Sequence, residues 1–259
     1  MECPQLTMNH KKGIYIAWLN QGEIRVENAH IIARWVRENK YHTHLGLDFH
    51  ASFPSAKPII NNRNQIALDF LKKKEYEYLL MIDDTIIPPM NLLDLSLYDK
   101  DVIAPILFAY RQDAIVPLVL KKREGKKDYE VATFNGDEGL VEVDAVGTGC
   151  IMIHRRVLEH PKMRFPFKNK WNKDGVRILG QDLNFCKRVK EAGFKIWVHL
   201  DYICDHWTPV GLKSVYEAML KRDIKAGALD TKLEFKYLTK LPPAKIHQFN
   251  KGQIIKNAI

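Results

Sequence analysis

Two hydrophobic periods alternate along most of the chain, and the switch between them predicts the elements. Gly13–Leu19 is a short apolar run of strand type. Asn28–Asn39 follows with Ile31, Ile32, Trp35 and Val36 at helical spacing. Leu45–Phe49 reads as a second strand and Pro54–Pro58 as a loop. In Asn61–Lys73, Ile66, Ala67, Phe70 and Leu71 fall on one helical face. Tyr78–Ile82 is an apolar run of buried-strand type, closed by Asp83-Asp84-Thr85 and a turn at Pro88-Pro89.

Val102–Ile106 predicts a further strand, and residues 110–140 are polar and irregular, with a hairpin or insertion at the Lys-rich turn Lys121–Lys127. Val141, Val143 and Ala145 alternate with Glu142 and Asp144, as in a half-buried strand. Gly147-Thr148-Gly149 interrupts the pattern and Cys150–Ile153 resumes it. Gln181–Ala192 predicts a helix with Phe185, Cys186 and Val189 inward and Gly193 at its C′ position. Lys195–His199 is the next strand, and Leu212–Ala226 predicts a late helix. This alternation indicates an α/β layer fold with a largely parallel sheet. The main domain is expected to end near Thr208, followed by an appendage.

Composition narrows the class. Of 259 residues, 46% are hydrophobic and 27% charged, which excludes a disordered chain. The longest apolar runs, such as Ile14–Leu19 and Tyr78–Ile82, fall far short of the roughly 18 residues of a membrane span. Met1–Lys12 lacks a signal-peptide core, so a cytoplasmic location is expected. Cys3, Cys150, Cys186 and Cys204 form no Cys-x-x-Cys pair and are expected to be free thiols.

The net charge is +9, and Gly211–Ile259 holds ten Lys/Arg against four acids, six of those nine charges. Such a segment suits a polyanionic partner or a solvated helical face.

Five places could carry chemistry. Asp83 and Asp84 follow an apolar strand, at the carboxyl edge where α/β sheets bind ligands. A divalent cation would offset the cost of placing two charges there. The bland alternative is an exposed turn whose carboxylates cap backbone N–H groups. Asp182, in Gly180-Gln181-Asp182, starts a helix whose dipole favours its ionised form, which suits a base or a simple cap. His206, after Asp205, stands at a strand exit as a metal ligand or a structural histidine. Gly147-Thr148-Gly149 brings backbone close to a ligand or makes a bulge. Arg63-Asn64 opens a helix as a phosphate- or base-contacting pair or as surface residues.

The order of these elements resembles the GT-A glycosyltransferases, closest to the family 2-like branch that includes many phage enzymes. The resemblance runs from about residue 13 to 208. It is carried by Arg63-Asn64, Tyr78-Leu79-Leu80-Met81-Ile82-Asp83-Asp84, Val146-Gly147-Thr148-Gly149-Cys150, Gly180-Gln181-Asp182-Leu183-Asn184-Phe185-Cys186 and Asp205-His206.

It implies a GT-A fold, a Rossmann-like mixed sheet flanked by helices, over residues 1–208, with a basic C-terminal helical extension over 209–259. It implies a nucleotide-diphospho-sugar donor and Mn²⁺ or Mg²⁺. Leu19, Arg63, Asn64 and Asp83 would lie on the donor side. Asp83, Asp84 and His206 would hold the metal, and Asp182 would be the catalytic base. Gly147, Thr148, Gly149 and Gln181 would line the acceptor and diphosphate side. Thr85 stands where a third acid is common, so the metal set leans on Asp84 and His206. Gln181 stands where Glu is common.

The expected activity is sugar transfer to a hydroxyl, on a modified base in phage DNA or on a glycan or protein. A nucleotidyltransferase would carry a Gly-rich, Arg/Lys-bearing loop after the first strand, and Asn20-Gln21-Gly22 is too thin for that. A non-catalytic basic nucleic-acid-binding protein is the remaining alternative.

Overall fold

In the computed structural model the run ahead of Asp83 lies at the centre of the molecule: Tyr78, Leu79, Leu80, Met81 and Ile82 are all fully buried. The structure describes residues 12–20, 22–38, 47–55, 58–111, 114–125, 128–134 and 138–209, with three positions beyond. Seven strands form the main sheet: β1 (Lys12–Leu19), β2 (Leu47–Ser52), β3 (Tyr78–Asp83), β4 (Val102–Ile106), β5 (Leu140–Val143), β6 (Cys150–His154) and β7 (Ile196–Ile203). Their order is β5-β7-β4-β6-β3-β1-β2.

The expected mixed sheet flanked by helices is present. β1 is parallel to β2 and β3, and β7 is parallel to β4. β6 runs antiparallel to both β3 and β4, and β5 antiparallel to β7. The pattern's expectation of a largely parallel sheet therefore needs this correction: β6 enters from the edge at which β3 ends. An all-apolar run such as Cys150–Ile153 does not encode direction.

Helices cover both faces. Successive residues of β3 point to opposite sides. Leu79 and Met81 pack with Ile66, Ala67 and Phe70 of α2 (Ile59–Lys72), and with Phe185, Cys186 and Val189 of α4 (Gln181–Glu191). Tyr78, Leu80 and Ile82 pack instead with Ile31 and Trp35 of α1 (Val26–Arg37) and with the 3₁₀ turn Leu92–Tyr98. α3 (Arg155–Glu159) follows β6 directly. Gly193 closes α4 at φ +93°, as its predicted C′ role requires.

Gly13 is forced by packing. A Cβ there would lie 2.5 Å from the Glu75 carbonyl oxygen, where the chain enters β3.

The expected Val141–Ala145 strand splits. Leu140–Val143 joins the main sheet, while Ala145–Val146 pairs with Val119–Lys122, which also pairs with Tyr129–Val131. That last pair is the hairpin expected around Lys121–Lys127. Cys150, Cys186 and Cys204 are buried free thiols; Cys3 lies outside the described residues.

The chain divides into two compact units, Met1–Pro209 and Val210–Ile259. The expected C-terminal helix lies almost wholly outside the described residues. Among those described, no helix is long and apolar enough to cross a membrane.

Candidate active site

The carboxyl ends of β1, β2, β3, β4 and β7 share one edge of the sheet, and the chain enters β6 there through Gly147-Thr148-Gly149. α4 packs back along the sheet and starts at this same edge, bringing Gln181 and Asp182 to it. Residues far apart in sequence meet here for topological reasons.

Asp83 is the last residue of β3 and follows Met81 in the alternation, so its side chain points to the α2/α4 face. Arg63 of α2 meets it: Nη2 donates to both carboxylate oxygens, at 2.9 and 2.8 Å. Nη1 of the same guanidinium donates to Asp182 Oδ1 at 2.9 Å and to Thr148 Oγ1 at 2.5 Å. The Thr148 hydroxyl, fully buried, donates in turn to Asp182 Oδ1 at 2.5 Å. One buried cation thus joins the acid ending β3 to the acid opening α4.

The electrostatics follow from burial. Arg63 is only 3% exposed. Its desolvation disfavours the charge, but the two carboxylates outweigh this and hold its pKa above the ordinary arginine value. Burial pushes the Asp83 carboxyl above its usual range, with Arg63 pulling against it. Asp182 keeps a 45% exposed side chain, and the bonds it accepts from Arg63 and Thr148 both fall on Oδ1.

The second half of the edge lies around Asp84. The turn Asp84-Thr85 is pinned from two sides: Asn28 Nδ2 donates to the Asp84 carbonyl at 3.1 Å, and the Trp207 N–H to the Thr85 carbonyl at 2.8 Å. His206 pairs with Ile86 across a short antiparallel bridge, one residue beyond that turn. Its Nδ1 lies 2.6 Å from the Phe108 carbonyl oxygen. A carbonyl only accepts, so Nδ1 carries the proton and Nε2 keeps its lone pair. That is the tautomer a metal-ligating histidine needs.

The expected residues thus divide. Asp83, Arg63, Thr148 and Asp182 form one hydrogen-bonded set; Asp84 and His206 flank a second. Arg63, expected on the donor side, bonds Asp83, Thr148 and Asp182 through both Nη atoms, while its buried Nε has no partner among the described residues. Asn64 exchanges two bonds with the Phe167 backbone, Nδ2 to O at 2.7 Å and N–H to Oδ1 at 3.0 Å, and braces the segment ahead of α4. Leu19 lies level with Asp83 in the β1–β3 register, its side chain in the core. A Cβ on Gly149 would stand 3.4 Å from Asp83 Oδ2, and one on Gly147 would stand 3.0 Å from Leu118. Gln181 Oε1 is buried with no hydrogen-bond partner among the described residues.

Among the described residues, Asp83, Asp84 and His206 do not gather into a tight ligand group; Glu77, Asp99 and His154 do, with ligand atoms within 4.8 Å of one another. That group lies at the opposite, amino end of β3. His154 Nδ1 accepts from the Arg156 N–H, so Nε2 bears the proton and donates to Glu77 Oε1 at 2.9 Å. Both its nitrogens are thereby engaged.

Two further residues stand at the carboxyl edge outside every motif of the sequence. Asn28 is fully buried, its Oδ1 lacking a partner among the described residues. The Arg25 guanidinium lies 4.4 Å from the ring centroid of Trp207, which follows His206. An asparagine inside a helical apolar pattern is the available signal for the first; the second gives none.

No protein-family model matches the chain, and no curated protein matches it. Solved structures resemble the chain at low identity. A197 from STIV is 16% identical over 76% of this chain and 86% of that one, with a TM-score of 0.48. GalNAc-T7, solved with UDP, GalNAc and Mn2+, is 8% identical over 77% of this chain and 43% of that one, at 0.44. A glycosyltransferase involved in glycosylation of the major capsid of PBCV-1 is 13% identical over 80% and 98%, at 0.37.

Proposed function

We infer that this chain is a divalent-metal-dependent glycosyltransferase of GT-A type, moving a sugar from a nucleotide-diphospho-sugar to an acceptor hydroxyl. The observation that carries this reading is the placement of Asp182: a half-exposed carboxylate at a helix start, tied through Arg63 to the acid that ends the buried strand β3. Residues that handle donor and acceptor are then held in one rigid unit, as positioning catalysis requires.

The residues have distinct parts. Asp182 takes the proton of the acceptor hydroxyl, whose oxygen attacks the anomeric carbon as the bond to the diphosphate breaks. Such general-base assistance is worth roughly 10²–10⁴-fold in rate. Arg63 and Thr148 orient Asp182 by bonding Oδ1 alone, which leaves Oδ2 for the acceptor. Asp84 and the free Nε2 of His206 are the ligands we assign to Mn²⁺ or Mg²⁺, with Asp83 beside them. A bound cation supplies neutralisation of the departing diphosphate. Gly149 keeps space open against Asp83.

The acceptor is the finer question. A hydroxyl-bearing modified base in DNA, a glycan and a protein hydroxyl all offer the required group, and the net charge of +9 favours an anionic one. The test is a thermal-shift panel of UDP-, GDP- and TDP-linked sugars with and without Mn²⁺. A cognate donor at about 100 times its dissociation constant raises stability by about 2.7 kcal/mol. No shift with any member in the presence of metal sinks the reading.

A further inference from the structure

Immediately before α4 the chain makes a two-stranded ribbon, Lys170–Trp171 against Arg177–Leu179. Its turn is well formed: Asn172 Oδ1 accepts from the N–H groups of Asp174 and Val176, at 3.0 and 2.8 Å, and Gly175 takes φ +75°. Yet every residue from Lys170 to Ile178 is exposed, including Trp171, Val176 and Ile178, each more than half open to solvent. A two-stranded ribbon is marginal alone in water, and three large apolar side chains on one call for a partner. Lys168, Lys170, Lys173 and Arg177 stand among them against the single acid Asp174. The ribbon ends at Leu179, one residue before Gly180, the N-cap of α4.

We propose that this ribbon grips the acceptor, and that the acceptor is single-stranded nucleic acid. The site it serves is the one assigned above, so the acceptor role rests on that reading. Four cations interleaved with apolar side chains match a strand that alternates phosphates with flat, apolar faces. Trp171 lies opposite Arg177 in the ladder, which puts a stacking ring and a phosphate-binding fork on one face. Val176, in the turn, and Ile178, at the irregular step of the ladder, stand exposed on either side of Arg177 in sequence. Charged and apolar side chains are thus mixed along the ribbon, which suits a flexible strand of phosphates and bases better than a bilayer, which takes a segregated apolar face. A neutral glycan leaves the cations unused. Where the ribbon meets α4, the partnerless Oε1 of Gln181 offers a buried acceptor for a base N–H or hydroxyl, one residue from Asp182.

The test is fluorescence anisotropy with the full chain and a labelled mixed-sequence single-stranded oligonucleotide, from about 50 to 200 mM salt. The wild type is expected to bind with a steep salt dependence. K170A/K173A/R177A should weaken binding and flatten the log–log salt slope by about 2, because three phosphate contacts at about 0.7 each are lost. W171A should weaken it about five- to hundred-fold at unchanged slope, and W171F should restore most of that. Circular dichroism confirms that each variant folds. Absence of wild-type binding at 50 mM salt overturns the proposal. So does equal affinity of all ribbon variants, which would move binding to the basic C-terminal segment. Inorganic polyphosphate or anionic phosphatidylserine vesicles bound as tightly as the oligonucleotide, with W171A silent, also overturn it. The thermal-shift panel reads the donor site independently: a chain that binds nucleotide-sugar but no oligonucleotide loses this proposal alone. One that binds the oligonucleotide on the ribbon but no donor keeps the binding surface and loses its acceptor role.

Discussion

β3 carries an acid-and-histidine cluster at each end, and the two are built on opposite principles. At the amino end, Glu77, Asp99 and His154 lie close enough to suggest a metal site. The histidine there spends both its nitrogens inside the protein. His154 caps α3 through Nδ1 and holds Glu77 through Nε2, while the Tyr78 hydroxyl donates to Asp99 at 3.2 Å. Beside them Arg155 donates to the carbonyls of Phe70, Leu71, Lys73 and Tyr76, closing the C-terminal end of α2. At the carboxyl end the groups are further apart but carry unspent capacity: the Nε2 lone pair of His206, the exposed side of Asp182, and the orphan oxygens of Asn28 and Gln181. Proximity marks a fastener; unsatisfied valence marks a site.

Activity should depend on one end and stability on the other. The largest effect is expected for Asp182→Asn, which keeps shape and removes the base. Turnover should fall roughly 10²–10⁴-fold in steady-state assays with donor and acceptor saturating. Glu77→Gln, at the other end, should leave turnover within a factor of two or so, since nothing it touches reaches the substrate. Equal losses from both would collapse the distinction.

Next comes Arg155→Met. It strips four backbone carbonyls of a donor and removes a guanidinium lying 4.3 Å from the Phe70 ring centroid. A loss of about 2–4 kcal/mol in urea unfolding is expected, from carbonyls left short of partners. Metal-dependent activity of the folded fraction should persist. A variant as stable as the wild type would show that the amino-end fastener carries no load.

The third is a matched histidine pair. His206→Ala should weaken Mn²⁺ binding, followed by electron paramagnetic resonance, by roughly 10–100-fold, the usual cost of disturbing a metal shell. His154→Ala should leave it unchanged. The reverse pattern would relocate the metal to the amino end and take the donor site with it.

How much of this could be read beforehand depends on whether the information was local. The apolar run closed by Asp83-Asp84 announced both a buried strand and charges at its exit, because burial and its termination are written in consecutive residues. The α2 and α4 faces were equally legible from their spacing, and so was Gly193. Arg63 was not. Its partners Asp83, Thr148 and Asp182 lie 20, 85 and 119 positions away, and only the strand order brings them together. That order includes the reversal of β6, which an all-apolar run cannot signal. The ribbon before α4 escaped for a different reason: with no buried face, Lys170–Leu179 shows no alternation to detect. His206 was visible as a residue, but its tautomer depends on a carbonyl 98 positions away.

The smallest effect discriminates most sharply between the two ends. Glu77 accepts the Nε2 proton of a histidine whose other nitrogen is already an acceptor. A Gln side-chain oxygen accepts that proton equally well, so Glu77→Gln should cost less than about 1 kcal/mol. The comparison should be made by thermal unfolding with and without 1 mM or so Mn²⁺, since any ligand that favours the native state raises the midpoint. If the amino-end cluster is a fastener, the Mn²⁺-induced shift is the same in wild type and Glu77→Gln and disappears in Asp84→Asn. If it is a metal site, the carboxylate charge matters more than the hydrogen bond: the shift then vanishes in Glu77→Gln and survives in Asp84→Asn. A shift reduced by each substitution would show that Mn²⁺ binds at both ends, and would overturn the division between them.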